Sequence, residues 1–111
     1  MQPIQATDGE NEVIARVLRA LADSQRRRLL YALQEADRGA GLAVPEAIPI
    51  GGTDIDLLET KLHHQDLPLL EQAELVRWDE EAGRVYEGPA FREERALIES
   101  VREFDGLEAR H

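Results

Sequence analysis

Cysteine is absent from the chain, which excludes disulfides, thiolate metal sites and thiol redox switching together. Lysine is nearly absent: of 13 basic residues only Lys61 is a lysine. No apolar run approaches the roughly 18 residues of a membrane-spanning helix. Residues 1–10, MQPIQATDGE, have neither the basic start nor the apolar stretch of a secretory signal, so a cytoplasmic protein without membrane association is expected. There is no Ser/His/Asp set and no phosphate-cradling glycine loop, and the carboxylates are too scattered to nominate an acid–base pair. No enzyme, cofactor or resident metal is expected.

What is abundant is acid. Asp and Glu number 23 and the formal net charge is −10. Acidic excess with almost no lysine resembles the composition of an extreme halophile's protein, because carboxylates stay hydrated in concentrated salt, where the Debye length falls to about 3 Å. An ordinary acidic domain with no nucleic-acid role is the alternative that charge alone leaves open.

Length and patterning predict one domain over residues 11–104, preceded by a flexible arm (1–10) and followed by a polar tail (105–111). The expected fold is mainly α with a small β-hairpin. A first helix over about 11–22 carries the apolar stripe Val13, Ile14, Val17, Leu18 and Leu21. Asp23 or Ser24 then caps a second helix through residue 35, ended by Gly39 and Gly41. Residues 42–50 suggest a short strand and a short helix starting at Pro45 and ending at Pro49. Gly51 and Gly52 turn the chain, and Thr53 or Asp54 caps a long helix to about residue 73 with Ile55, Leu58, Leu62, Leu67 and Leu70 on one stripe. Pro68 removes a backbone donor and is expected to kink or split that helix near Gln65. A hairpin over 75–88 turns at Asp79 to Gly83, and Pro89 starts a last amphipathic helix to about residue 104.

Two segments carry a family resemblance. LRALADSQRRRLLYAL at 18–33 is similar to the "LadptRlrIL" segment of ArsR-type winged helix-turn-helix regulators, with Arg26 on the family arginine. HQDLPLLEQAELV at 64–76 resembles their "SrHLkvLreAGLV", most closely the "LHHxHLPKLxxAGLV" wording of small haloarchaeal winged-helix regulators. The chain departs from that pattern at Glu74, where the family has Gly, at Asp66 for a frequent His and at Leu69 for a frequent Lys. The exit from the helix at Glu74 therefore needs either a different cap or an αL glutamate, which costs on the order of 1 kcal/mol.

The resemblance implies a sequence-specific DNA-binding regulator that places the 54–73 helix in the major groove of double-stranded DNA, with the hairpin as its wing. Thr60, Lys61, His63, His64 and Gln65 are then the base-reading candidates, and Arg77, Arg84, Arg27 and Arg28 the phosphate or minor-groove candidates. The adjacent histidines lack the i, i+4 spacing of helical metal ligands. The resemblance also implies a homodimer through the first and last helices, with Ile14, Leu18, Leu97, Ile98, Val101 and Phe104 at the interface, on a pseudo-palindromic operator.

Charge complicates this reading. Residues 53–73 hold Asp54, Asp56, Glu59, Asp66 and Glu71 against Lys61 alone, and residues 74–88 hold five acids against Arg77 and Arg84. Counterion release cannot drive binding by such a surface, so shape, hydrogen bonds, apolar contact and cations bridging carboxylate to phosphate must. The rival expectation is a winged helix used as a protein-interaction module with an acidic face, a cofactor or DNA mimic that binds no DNA itself.

Overall fold

The computed structural model describes residues 4–36, 39–44 and 55–109. Among these residues, six α-helical segments and a small three-stranded antiparallel sheet follow in the order α1 (Ile4–Leu21), α2 (Ser24–Glu35), β1 (Leu42–Ala43), α3 (Ile55–Lys61), a π-helical turn (Leu62–Asp66), α4 (Leu67–Gln72), β2 (Val76–Asp79), β3 (Arg84–Glu87), α5 (Pro89–Glu93) and α6 (Arg95–Ala109). Sheet order is β1-β3-β2. The fold class is therefore mainly helical α+β. Among the described residues, no helix is long and apolar enough to cross a membrane.

Several boundaries differ from the sequence expectation. Helix α1 starts at Ile4, inside the span expected to be a flexible arm. The last helix is two helices, broken at Glu94, and α6 runs on to Ala109 through the expected tail. The short helix expected after Pro45, the Gly51–Gly52 turn and the Thr53 or Asp54 cap lie outside the described residues.

The core forms where the apolar stripes meet. Val17, Ala20 and Leu21 of α1, Leu29, Leu30 and Leu33 of α2, Leu62, Leu67 and Leu70 of the broken helix, Val76 and Val85 of the sheet, and Phe91 and Ile98 bury one another. Only part of the α1 stripe takes part: Val13, Ile14 and Leu18 are exposed. At the start of α2, Asp23 accepts from the amides of Gln25 at 3.0 Å and Arg26 at 3.2 Å, satisfying two donors that a helix start leaves unpaired.

Pro68 accounts for the break in the long helix. Its ring would meet the His64 carbonyl in an α-helix, and it has no N–H to give. One wider turn resolves both: the Leu67 amide donates to the Leu62 carbonyl, an i to i−5 bond. Helix α4 then closes at Ala73, and Glu74 takes φ 60, the left-handed one of the two exits open to it. This bend throws the chain directly into β2.

The junction is tight. The Glu74 carbonyl accepts from the Ala90 amide at 2.9 Å, and the Leu75 carbonyl from the Gly88 amide at 3.0 Å. A Cβ on Gly88 would collide with the Glu74 carbonyl oxygen and lie 3.0 Å from the Leu75 carbonyl carbon. The hairpin pairs Val76 with Glu87, Arg77 with Tyr86, Trp78 with Val85 and Asp79 with Arg84, and Gly83 supplies the positive φ its turn requires.

Two substitutions at this junction are expected to move stability in opposite directions, read as urea midpoints. Gly88→Ala lowers it by about 1–3 kcal/mol, because backbone has to shift to admit the methyl group. Glu74→Gly raises it by up to about 1 kcal/mol, by removing left-handed strain at some cost in unfolded-chain entropy.

Candidate functional site

The broken helix and the hairpin that follows it form the unit on which most candidate residues lie. The one buried charged side chain among the described residues, Asp66, sits at its centre. One Asp66 oxygen accepts from Arg26 Nη1 at 3.0 Å and from Lys61 Nζ at 3.1 Å, and the other lies 3.2 Å from Lys61 Nζ. Lys61 also reaches Asp23 at 3.1 Å. Arg26 also donates from Nε to the Ala20 carbonyl at 2.9 Å and from Nη2 to the Arg19 carbonyl at 3.0 Å, at the end of α1. Two carboxylates and two cations thus close a neutral cluster that ties the α1–α2 junction to the π turn.

This cluster takes Lys61 out of the set of free cations. Its ammonium faces two aspartates of its own chain, where a base-reading side chain was expected. Burial works against the ionised form of Asp23, but the Lys61 and Arg26 contacts outweigh it and hold its pKa below the usual 3.8. Asp66 itself is buried and belongs to the core, not to the acidic surface on which the charge count of residues 53–73 places it. Its spacing held the missing signal: it stands four residues after Leu62 and four before Leu70, on the core stripe, where an acid demands a buried cation.

The remaining reading candidates are arranged as follows. His64 and Gln65 are exposed. Thr60 is exposed too, with its hydroxyl donating back to the Asp56 carbonyl at 2.9 Å. His63 is half-buried, its Nδ1 2.9 Å from the Glu59 carbonyl oxygen and its ring centroid 5.4 Å from that of Trp78. With Nδ1–H donating to that carbonyl, the ring braces the broken helix against β2. Glu71 adds a second brace, accepting from the Trp78 amide at 3.1 Å.

The arginines divide. Arg77 and Arg28 are exposed. Arg84 opens β3 directly after the Gly83 turn, opposite Asp79, and its side chain donates to the carbonyls of Ala40 at 2.9 Å and Gly41 at 3.4 Å. Arg27 is held by Asp105 at 2.8 Å and by the Leu21 carbonyl at 2.7 Å. The same Asp105 oxygen accepts from the Tyr31 hydroxyl at 2.6 Å, so Asp105 clasps α6 to α2. The Arg27 hydrogen bond, reinforced by Tyr31, holds the Asp105 carboxyl below its usual range. Burial, followed by the Asp105 contact, pushes the Tyr31 phenol up.

Of the expected dimer contacts, Ile14, Leu18 and Phe104 are exposed, and Leu97 and Val101 pack partly against the core. Ile98 is fully buried within the single chain and is core, not surface. Among the described residues, no group of three His, Asp or Glu side chains is placed to hold a metal ion.

Removing Asp66 is expected to be the most damaging change in the cluster: Asp66→Ala leaves the nearly buried Arg26 guanidinium without its carboxylate and costs about 3 kcal/mol in chemical denaturation. Lys61→Ala costs less, since Arg26 still neutralises Asp66. The lowered pKa values of Asp23 and Asp105 fix a pH dependence. A carboxylate with a depressed folded pKa contributes stability above its unfolded value and loses it as pH falls through the folded one. Stability monitored by circular dichroism should therefore fall below about pH 4, and less steeply in an Asp105→Asn variant.

No protein-family model matches this chain, and no curated protein or solved structure matches it either.

Proposed function

We propose that the protein is a DNA-binding transcription regulator of winged helix-turn-helix type that acts as a homodimer in concentrated salt. The observation that carries this reading is the rigid pairing of helix and hairpin. The Glu74 turn, the Gly88 junction and the His63–Trp78 contact hold β2 and β3 against the broken helix while Thr60, His64 and Gln65 stay exposed along it. In this reading that helix enters the major groove and the hairpin lies beside it on the backbone. Exposed Ile14, Leu18 and Phe104 on the first and last helices are apolar surface for a second copy.

The positions of the cations shape how such a protein binds. Lys61 and Arg27 are engaged with acids of their own chain, which leaves Arg77 and Arg28 as the candidates open to phosphate. Affinity then rests on fit, hydrogen bonds and apolar contact, with cations from solution bridging acid to phosphate.

The acidic, exposed hairpin tip at Asp79, Glu80 and Glu81 favours a second reading, a protein-interaction module that presents an acidic face and binds no DNA directly. One titration separates the two. Specific-duplex affinity measured from about 0.2 M to about 3 M KCl is expected to change little or to rise with salt; a steep fall on a log–log plot contradicts the regulator as drawn here. His64→Ala and Gln65→Ala should abolish duplex binding and leave the dimer intact by light scattering. If no duplex from the gene's own promoter region binds at any salt, the interaction module is the correct reading.

A further inference from the structure

We infer that Leu57 is a specificity residue that packs on the 5-methyl group of thymine, so that the protein selects duplexes with thymine at one fixed position in each half-site. This rests on the DNA-binding reading above.

Leu57 is 66% exposed on α3. Of the other exposed large apolar residues, Val13, Ile14 and Leu18 lie on α1 and Phe104 on α6; among the residues whose burial is described, Leu57 is the one in the helix that leads to the hairpin. The core makes no demand on it, because Leu58 is half-buried and Leu62 is fully buried on the inward side of the same helix. Positions 57, 60 and 64 fall on one side of the helix, so Leu57 shares its face with exposed Thr60 and His64. Lys61, which would otherwise add a cation to this side, is drawn into the Asp23 and Asp66 carboxylates.

That face therefore combines one apolar group with hydrogen-bonding groups and no free cation. In the major groove the thymine 5-methyl is the apolar group that base edges present, and a helix fits that groove. Burying methyl against methyl needs no counterion release, so it persists at the salt concentrations where phosphate attraction is screened. A cationic peptide would find the flanking acids attractive but would gain nothing from a methyl on its partner, so the two occupants are distinguishable by experiment.

The test uses the full-length protein at about 2 M KCl. Duplexes enriched by the protein from a random pool are resynthesised with each thymine replaced in turn by deoxyuridine, which deletes the 5-methyl and keeps the O4 acceptor. Wild-type protein is expected to lose about fourfold in affinity at one thymine per half-site and to be indifferent at the others. Leu57→Ala should bind the thymine duplex more weakly and show no difference between thymine and uracil. Equal wild-type affinity for thymine and uracil at every position overturns the inference while leaving DNA binding in place, and so does discrimination that survives in Leu57→Ala. Failure to enrich any duplex overturns the DNA-binding reading and this inference with it. The thymine-to-uracil comparison on wild-type protein needs no variant, so it stands even if Leu57→Ala folds poorly.

Discussion

The Asp66 carboxylate, buried between Arg26 and Lys61, is the constraint on which the rest of the structure depends. An unpaired carboxylate in that position would be very costly, so the cations must come to it and bring their helices with them. Arg26 brings the carbonyl ends of α1 and the start of α2; Lys61 brings Asp23, which caps α2. One buried charge thereby fixes the relation between the first two helices and the broken helix. It also consumes the chain's single lysine as a structural group.

The second constraint is the route from the broken helix into the hairpin. Pro68 forces a wide turn, Glu74 takes a left-handed conformation, and Gly88 leaves room for two backbones to touch. Each is a local irregularity, and together they hold the hairpin at a defined angle to the helix. A surface that presents both at once has to be rigid, since fit must supply what electrostatic attraction does not. With a net charge of −10 and its central cations tied up internally, the molecule has little long-range attraction for a polyanion. In the proposed function, this places selectivity in short-range contacts made by Leu57, His64 and Gln65.

Much of the fold was legible in the sequence. The hairpin, its turn at Gly83, a cap at Asp23 or Ser24 and the break caused by Pro68 each follow from the chemistry of one residue type acting over a few neighbours. The candidate site was less legible. Exposure of His64 and Gln65 agrees with helical phase, but the fates of Lys61, Arg27 and Arg84 depend on acids and carbonyls distant in sequence: Asp23, Asp105, Ala40 and Gly41. An arginine reads the same in sequence whether it meets a phosphate or a carboxylate forty residues away. Ile98 and Phe104 likewise belong to one amphipathic helix, yet one is core and the other 70% exposed, because the core wraps only part of that helix.

By itself, then, the sequence determined the hairpin, the helices before it, the break at Pro68 and the acidic composition, since these arise from backbone chemistry and composition acting locally; the split at Glu94 and the helix ends were not legible in it. Tertiary structure alone decided which charges remain free. Ion pairing is a contest among groups brought together by the fold, and the winners here, Asp66 for Arg26 and Lys61, Asp105 for Arg27, are set by burial and distance that no local pattern encodes.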